Sequence, residues 1–160
     1  MPAAYVWSSL RRLGVPAADL EDVTHDVFLQ VHRRLGQYDA SRPVRPWLFG
    51  FAYRRASQHR RRAHRRHEIP GEPDTATHPG VPPDRQLSVQ EDRKLVLLAL
   101  EAMGMDRRAV FVLHEIDQVP MSDIATSLGI PVNTAYSRLR IARAEFAVAV
   151  RRLRVHEGRP

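Results

Sequence analysis

The stretch Met121–Arg143, MSDIATSLGIPVNTAYSRLRIAR, sets amides, hydroxyls and guanidinium groups along one helix face. These side-chain types hydrogen-bond base edges and phosphates in a DNA major groove. Asn133, Thr134, Tyr136, Ser137, Arg138 and Arg140 lie on that face, while Ala135 and Leu139 fall inward. The elements that must position it are legible residue by residue. Ile124, Ala125 and Leu128 recur at helical spacing and form one apolar face. Ala125 is small enough for a second helix to cross closely, and Gly129 supplies the left-handed backbone of a tight inter-helix turn. Ile130 fills the corner, and Pro131 opens the next helix, where its missing N–H would be unpaired anyway. The pattern predicts a helix-turn-helix.

A second chemistry lies between Tyr38 and Arg66, where Tyr38, Trp47, Phe49, Phe51 and Tyr53 are interleaved with nine arginines, seven of them from Arg54 onward. Aromatic rings beside a basic track can stack on unpaired bases while arginine neutralises phosphate. Trp47, Leu48 and Phe51 share one helical face, which assigns them to a core. The arginine run is assigned to nucleic acid, because a face so densely like-charged repels itself without a partner. His59, His64 and His67 have only Glu68 as a neighbouring carboxylate and are surrounded by arginine, so no metal site is expected. His25 and His32, with Glu21 and Asp22, read as a solvated helix surface. No glycine-rich phosphate loop and no nucleophile-plus-base motif is present, so neither an enzyme nor a cofactor is expected.

The 160 residues suffice for one ordinary domain or two small ones. Net charge is +7, carried by 24 arginines and Lys94, so an acidic polymer is the natural partner. The charge is unevenly spread: +7 over residues 1–70, −4 over 71–92 and +4 over 93–160. The acidic segment holds Pro73, Pro79, Pro82 and Pro83 and almost no large apolar side chains, which predicts a flexible linker over 71–92 between domains 1–70 and 93–160. Both domains read as helical. Ala3–Leu13 ends at Gly14; an apolar stripe of Leu20, Val23, Val27, Phe28, Val31 and Leu35 follows Asp19 and stops at Gly36; a third helix starts at Trp47. Val96, Leu97, Leu100 and Met103 mark a helix ending at Gly104, Asp106 is positioned to cap the next, and the last helix runs through residues 146–154. The fold class is therefore all-α, two small helical domains. Absence of cysteine, of a secretory leader and of any membrane-length apolar run points to a cytoplasmic protein with no membrane insertion.

With two basic helical modules joined by a tether, a resemblance emerges. DLEDVTHDVF followed by RPWLFGFAYRRASQHRRR resembles the second conserved region of the extracytoplasmic-function sigma factors of bacterial RNA polymerase, and DRRAVFVLHEIDQVPMSDIATSLGIPVNTAYSRLRIARAEF resembles their fourth. The resemblance implies that Asp19, Asp22, His25, Asp26 and Phe28 dock on the clamp helices of the polymerase's largest subunit. It assigns the loop from Tyr38 to Pro46 and the helix from Trp47 to Arg62 to melting the minus-ten element and holding its single strand, with Tyr38, Arg45, Trp47, Arg54, Arg55, Gln58, Arg61 and Arg62 as contacts. Asn133, Thr134, Tyr136, Ser137, Arg138, Arg140 and Arg143 are implied to read the duplex minus-thirty-five element. The implied partners are core RNA polymerase, double- and single-stranded promoter DNA, and an anti-sigma factor. The chain departs from the family pattern at His25, Arg54 and Gln58, where Gln, Asn and Asp are usual, and in a first helix shorter by several turns. The competing reading is a helix-turn-helix regulator that binds duplex DNA without polymerase. Such a regulator has no need of a strand-melting surface.

Overall fold

The computed structural model describes residues 2–67 and 84–158, and side chains within 2–66 and 88–158. Its described residues form helices without strands: α1 (Pro2–Arg12), α2 (Leu20–Arg33), α3 (Val44–His67), α4 (Asp84–Glu101), α5 (Met105–Phe111), α6 (Met121–Leu128) and α7 (Val132–His156). None is long and apolar enough to cross a membrane.

In the first half α1, α2 and α3 pack on one another. α1 ends at Arg12 and the turn after it contains Gly14, whose φ of +92° lets the chain turn back while the Val15 N–H bonds to the Leu10 carbonyl at 3.0 Å. Glu21 and Asp22 lie in the first turn of α2 and complement its dipole. Val23, Val27 and Val31 are buried as the stripe requires, and Phe28 packs partly buried against them. Leu35 is a correction: α2 ends at Arg33, and Leu35 stands 55% exposed in a short 3₁₀ turn with Gly36. The stripe overran the helix because the turn Leu35–Gln37 rotates its side chains off the α-helical face.

The second half packs α5 and α6 against α7, with α4 across α7. α5 continues into a π-helical turn, Val112–Ile116, in which the Asp117 N–H reaches back to the Val112 carbonyl at 3.0 Å. Gln118 then adopts a left-handed φ of 57°. Two expectations change here. Residues 84–92, expected to be linker, belong to α4, and residues 71–83 of the expected tether lie outside the described residues. Asp106 does not cap α5: Gly104 occupies the N-cap position, and the Asp106 carboxylate accepts a hydrogen bond from Tyr53 of α3 instead.

The two halves share one apolar cluster. Val6, Leu10, Val27 and Phe49 of the first half and Leu100, Val110, Leu113 and Ile124 of the second are all essentially inaccessible and belong to it. Removing a fully buried aromatic leaves a cavity that a close-packed core closes only in part. Phe49→Ala is expected to lower the unfolding free energy by about 3–5 kcal/mol, measured by urea denaturation.

Candidate nucleic-acid interface

The helix-turn-helix is built as its residue types dictate. α6 and α7 are joined through Gly129, at φ +65°, and the Ile130 N–H closes the turn on the Ala125 carbonyl at 3.0 Å. Pro131 takes the N-cap position, one residue before the helix it was expected to open. Ala135 and Leu139 are buried, which turns the opposite face outward. Asn133, Tyr136, Ser137, Arg140 and Arg143 are exposed on that side, and Thr134 is half-buried. Tyr136 presents 55% of its surface to solvent, high for a ring with no structural role in the core. Arg138 lies 4.0 Å from Asp106, and Arg143 pairs with Glu115. α7 is thus partly engaged by carboxylates of its own half.

In the first half the aromatics form a ladder. The Tyr38 and Trp47 rings lie 4.8 Å apart, Trp47 meets Phe51 edge-on at 4.9 Å, and the Arg54 guanidinium stands 5.1 Å over Phe51. Leu48 and Phe51 are buried as their spacing requires, whereas Trp47 is only half-buried and contributes to both core and surface. Tyr38 donates its hydroxyl to the Arg42 carbonyl at 2.7 Å, fixing the loop ahead of α3. Arg45 lies over the Tyr5 ring at 5.4 Å. Arg54 loses some basicity through burial and the nearby Arg34. Arg55 is tied to Asp26 at 2.5 Å and to Gln58 at 2.9 Å, while Arg61 and Arg62 project into solvent.

Of the residues expected to face polymerase, Asp22 and His25 are exposed on α2, and Asp26 is held by Arg55. Asp19 contacts the His59 ring at 3.1 Å, which draws one of the checked histidines to a carboxylate. Phe28 is partly buried against the core.

The structure also brings together residues that local pattern could not join. Tyr5 donates to Asp117 at 2.7 Å, with Arg12 at 3.5 Å from the same carboxylate. Burial and the Asp117 hydrogen bond raise the Tyr5 hydroxyl pKa well above its ordinary value. Tyr53 is pushed up to about 12 by burial and by its bond to Asp106. Arg108 is 2% exposed, donates to the Met103 carbonyl at 3.1 Å and is pushed down to about 10, mainly by burial. No sequence signal marked the Tyr5–Asp117 and Tyr53–Asp106 pairings, because each joins different elements across a long chain separation.

Helices carrying a helix-turn-helix on one side and an aromatic–arginine groove on the other define a DNA-binding protein of two modules. The sigma-70 region 2 family matches residues 3–66, and the sigma-70 region 4 family matches residues 93–146. The chain is 32% identical over 143 residues to the ECF RNA polymerase sigma factor SigL of Mycobacterium tuberculosis, covering 88% of this chain and 79% of that one. It is 27% identical over 141 residues to the RNA polymerase sigma factor NccH of Alcaligenes xylosoxydans xylosoxydans, covering 84% and 75%. Its fold matches Bartonella quintana RpoE, solved in complex with the anti-sigma factor NepR, with a TM-score of 0.70 and 20% identity over 94% of this chain and 92% of that one. It also matches CnrH in complex with the cytosolic domain of CnrY, at a TM-score of 0.62 and 23% identity over 91% and 79%. The chain belongs to the extracytoplasmic-function family of RNA polymerase sigma factors. Both regions are present in order, which sets the stand-alone regulator aside.

Ala135 sits at the α6–α7 crossing with no exposed surface. Ala135→Leu is expected to cost about 1–3 kcal/mol by overpacking and to weaken duplex binding, checked by thermal unfolding alongside a gel-shift titration.

Proposed function

We propose that this sigma factor divides promoter recognition between its halves, with α7 reading upstream duplex and α3 with its preceding loop holding unpaired minus-ten strand. The observation that carries this reading is the pairing of two chemically different surfaces: exposed amides, hydroxyls and arginines on α7, and the Tyr38–Trp47–Phe51 ladder beside arginines on α3. The first suits intact base-pair edges. The second suits bases already out of the stack. Extruding a base costs a few kcal/mol, which ring stacking and phosphate contacts would offset. In this reading Asn133, Thr134, Tyr136, Ser137, Arg138, Arg140 and Arg143 serve the duplex. Tyr38, Arg45, Trp47, Arg54, Arg55, Gln58, Arg61 and Arg62 serve the strand. Asp19, Asp22, His25, Asp26 and Phe28 face core polymerase, with Asp22 and His25 the most accessible of the set.

The domain limits 1–70 and 93–160, and a cytoplasmic site of action, belong to the same proposal. So does an absence of catalysis by the chain itself. An anti-sigma partner is proposed as well. Its support is the apolar groove between α4 and α7, lined by Leu98, Ala102, Val148 and Leu153, together with the partners named for CnrH and RpoE.

The test is reconstitution. Core RNA polymerase supplemented with the chain is expected to initiate at specific promoters, and failure of the chain to bind core polymerase would end the proposal. Arg140→Ala is expected to weaken upstream duplex binding by about 1–3 kcal/mol if the side chain reads a base, or mainly to flatten the salt dependence if it contacts phosphate. Arg61→Ala is expected to slow promoter opening, followed by permanganate reactivity, more than it weakens duplex binding. Identical defects in the two variants would refute the division of labour.

A further inference from the structure

We infer, resting on the assignment of α7 to upstream duplex, that Val132 and Tyr136 form an apolar reading patch whose ligand is the 5-methyl group of thymine. The two residues stand four apart on α7, so their side chains are neighbours on one ridge of the helix. Val132 is 42% exposed and Tyr136 55%. Neither belongs to the apolar cluster that the two halves share, and the Tyr136 hydroxyl makes no hydrogen bond within the described residues. The buried face of α7 is supplied by Ala135, Leu139 and Ala142 instead. An isopropyl group and a ring are thus held in solvent where the packing of the helix has no use for them.

The surroundings of the pair choose its ligand. It lies in the first two turns of α7, the end of the second helix that meets base edges in a helix-turn-helix. Asn133 and Arg140 adjoin it and are exposed. From Val132 to Ala144 the helix carries Arg138, Arg140 and Arg143 and no acidic residue, so the surface around the patch suits a polyanion. In the major groove of a duplex the apolar group on offer is the thymine 5-methyl. Val132 can neither donate nor accept a hydrogen bond, so what it can take from a base is the presence of that methyl. The Asn133 amide, beside it, has the donor and acceptor that match N7 and N6 of adenine. The turn as a whole is directed at A·T pairs, with the thymine methyl under Val132 and Tyr136.

The test uses holoenzyme assembled from core RNA polymerase and the full chain. Upstream duplexes are selected from a randomised library, and the enriched duplex is remade with deoxyuridine in place of thymine, one position at a time. Deoxyuridine keeps the hydrogen bonds of the pair and lacks only the methyl group. At one or two positions the exchange is expected to weaken binding about fourfold, the worth of one methyl-sized group returned to water. Val132→Ala combined with Tyr136→Ser is expected to bind the thymine and deoxyuridine duplexes alike, whereas Tyr136→Phe keeps the preference because the ring remains. Both side chains lie outside the core, so an unchanged thermal unfolding midpoint verifies that the variants are folded. An enriched duplex without thymine, or equal binding of both forms at every position by the unaltered chain, overturns the methyl reading and leaves α7 as the duplex reader. A preference that survives in the double variant does the same. Enrichment that Asn133→Ala and Arg140→Ala leave untouched, or no enrichment at all, overturns the assignment of α7 itself and the methyl reading with it.

Discussion

The approach of α3 to α6 at Gly50 is the contact on which the arrangement of this molecule depends. Two helices share a core only as closely as the side chains between them allow, and here one position carries no side chain at all. That absence brings Pro46 and Trp47 of one half beside Asp123 and Ser127 of the other. It also aligns the two apolar surfaces into one cluster running from Val6 and Leu10 to Leu113 and Ile124. A larger residue at position 50 would act on both consequences together, because they share one backbone separation.

Apolar burial and polar bonding play different parts at this seam. Burial is non-directional and scales with area at about 25 cal/mol per Å², so it favours closure without choosing a register. A typical hydrogen bond adds only about 0.5–1.5 kcal/mol net. Yet the bonds at Asp106, Asp117 and Ser127 form only in one alignment of the helices. Three such bonds select the pose that burial stabilises. The π turn at Val112–Ile116 serves this selection, since it and the left-handed Gln118 set the direction in which Asp117 leaves α5 toward Tyr5. Inter-domain surfaces that are partly polar in this way are suited to parting without unfolding, because water can replace each bond as it breaks.

What could be read from the sequence follows the range of the interactions involved. The helix-turn-helix was legible to within one residue because its determinants are local: Ala125, Gly129 and Ala135 act within one turn of the crossing they permit. The aromatic–arginine segment was legible as chemistry. Trp47, placed in the core by its spacing, is half-buried, because periodicity reports which face a residue is on and not how far the neighbouring helix extends over it. Asp106 shows the limit most plainly. Its position before a helix fits a cap, but Tyr53, 53 residues away, claims the carboxylate. The start of α4 was hidden for another reason. Four prolines upstream and several acidic residues dominate the average over 71–92, yet no proline falls between Pro83 and Pro120, and residues from Asp84 are free to become helical.

The arginines proposed to contact DNA are not equally ready to bind it. Arg138 and Asp106 stand 4.0 Å apart with the carboxylate 62% exposed, a geometry whose net contribution is about 0–1 kcal/mol. A phosphate or guanine can displace such a partner at little cost, so the pair orients the side chain without sequestering it. Arg55 differs. It makes a 2.5 Å contact with Asp26 and a second bond to Gln58. To meet a strand it must give up two charge-assisted or amide bonds and strip Asp26, an α2 carboxylate proposed to face polymerase. Arg55 and Asp26 are therefore coupled. Anything that draws the Asp26 carboxylate toward a docking partner frees the guanidinium on α3, and a strand that takes Arg55 leaves Asp26 available. The pair gives the two faces of the first half a direct physical link, one that runs through a single ion pair.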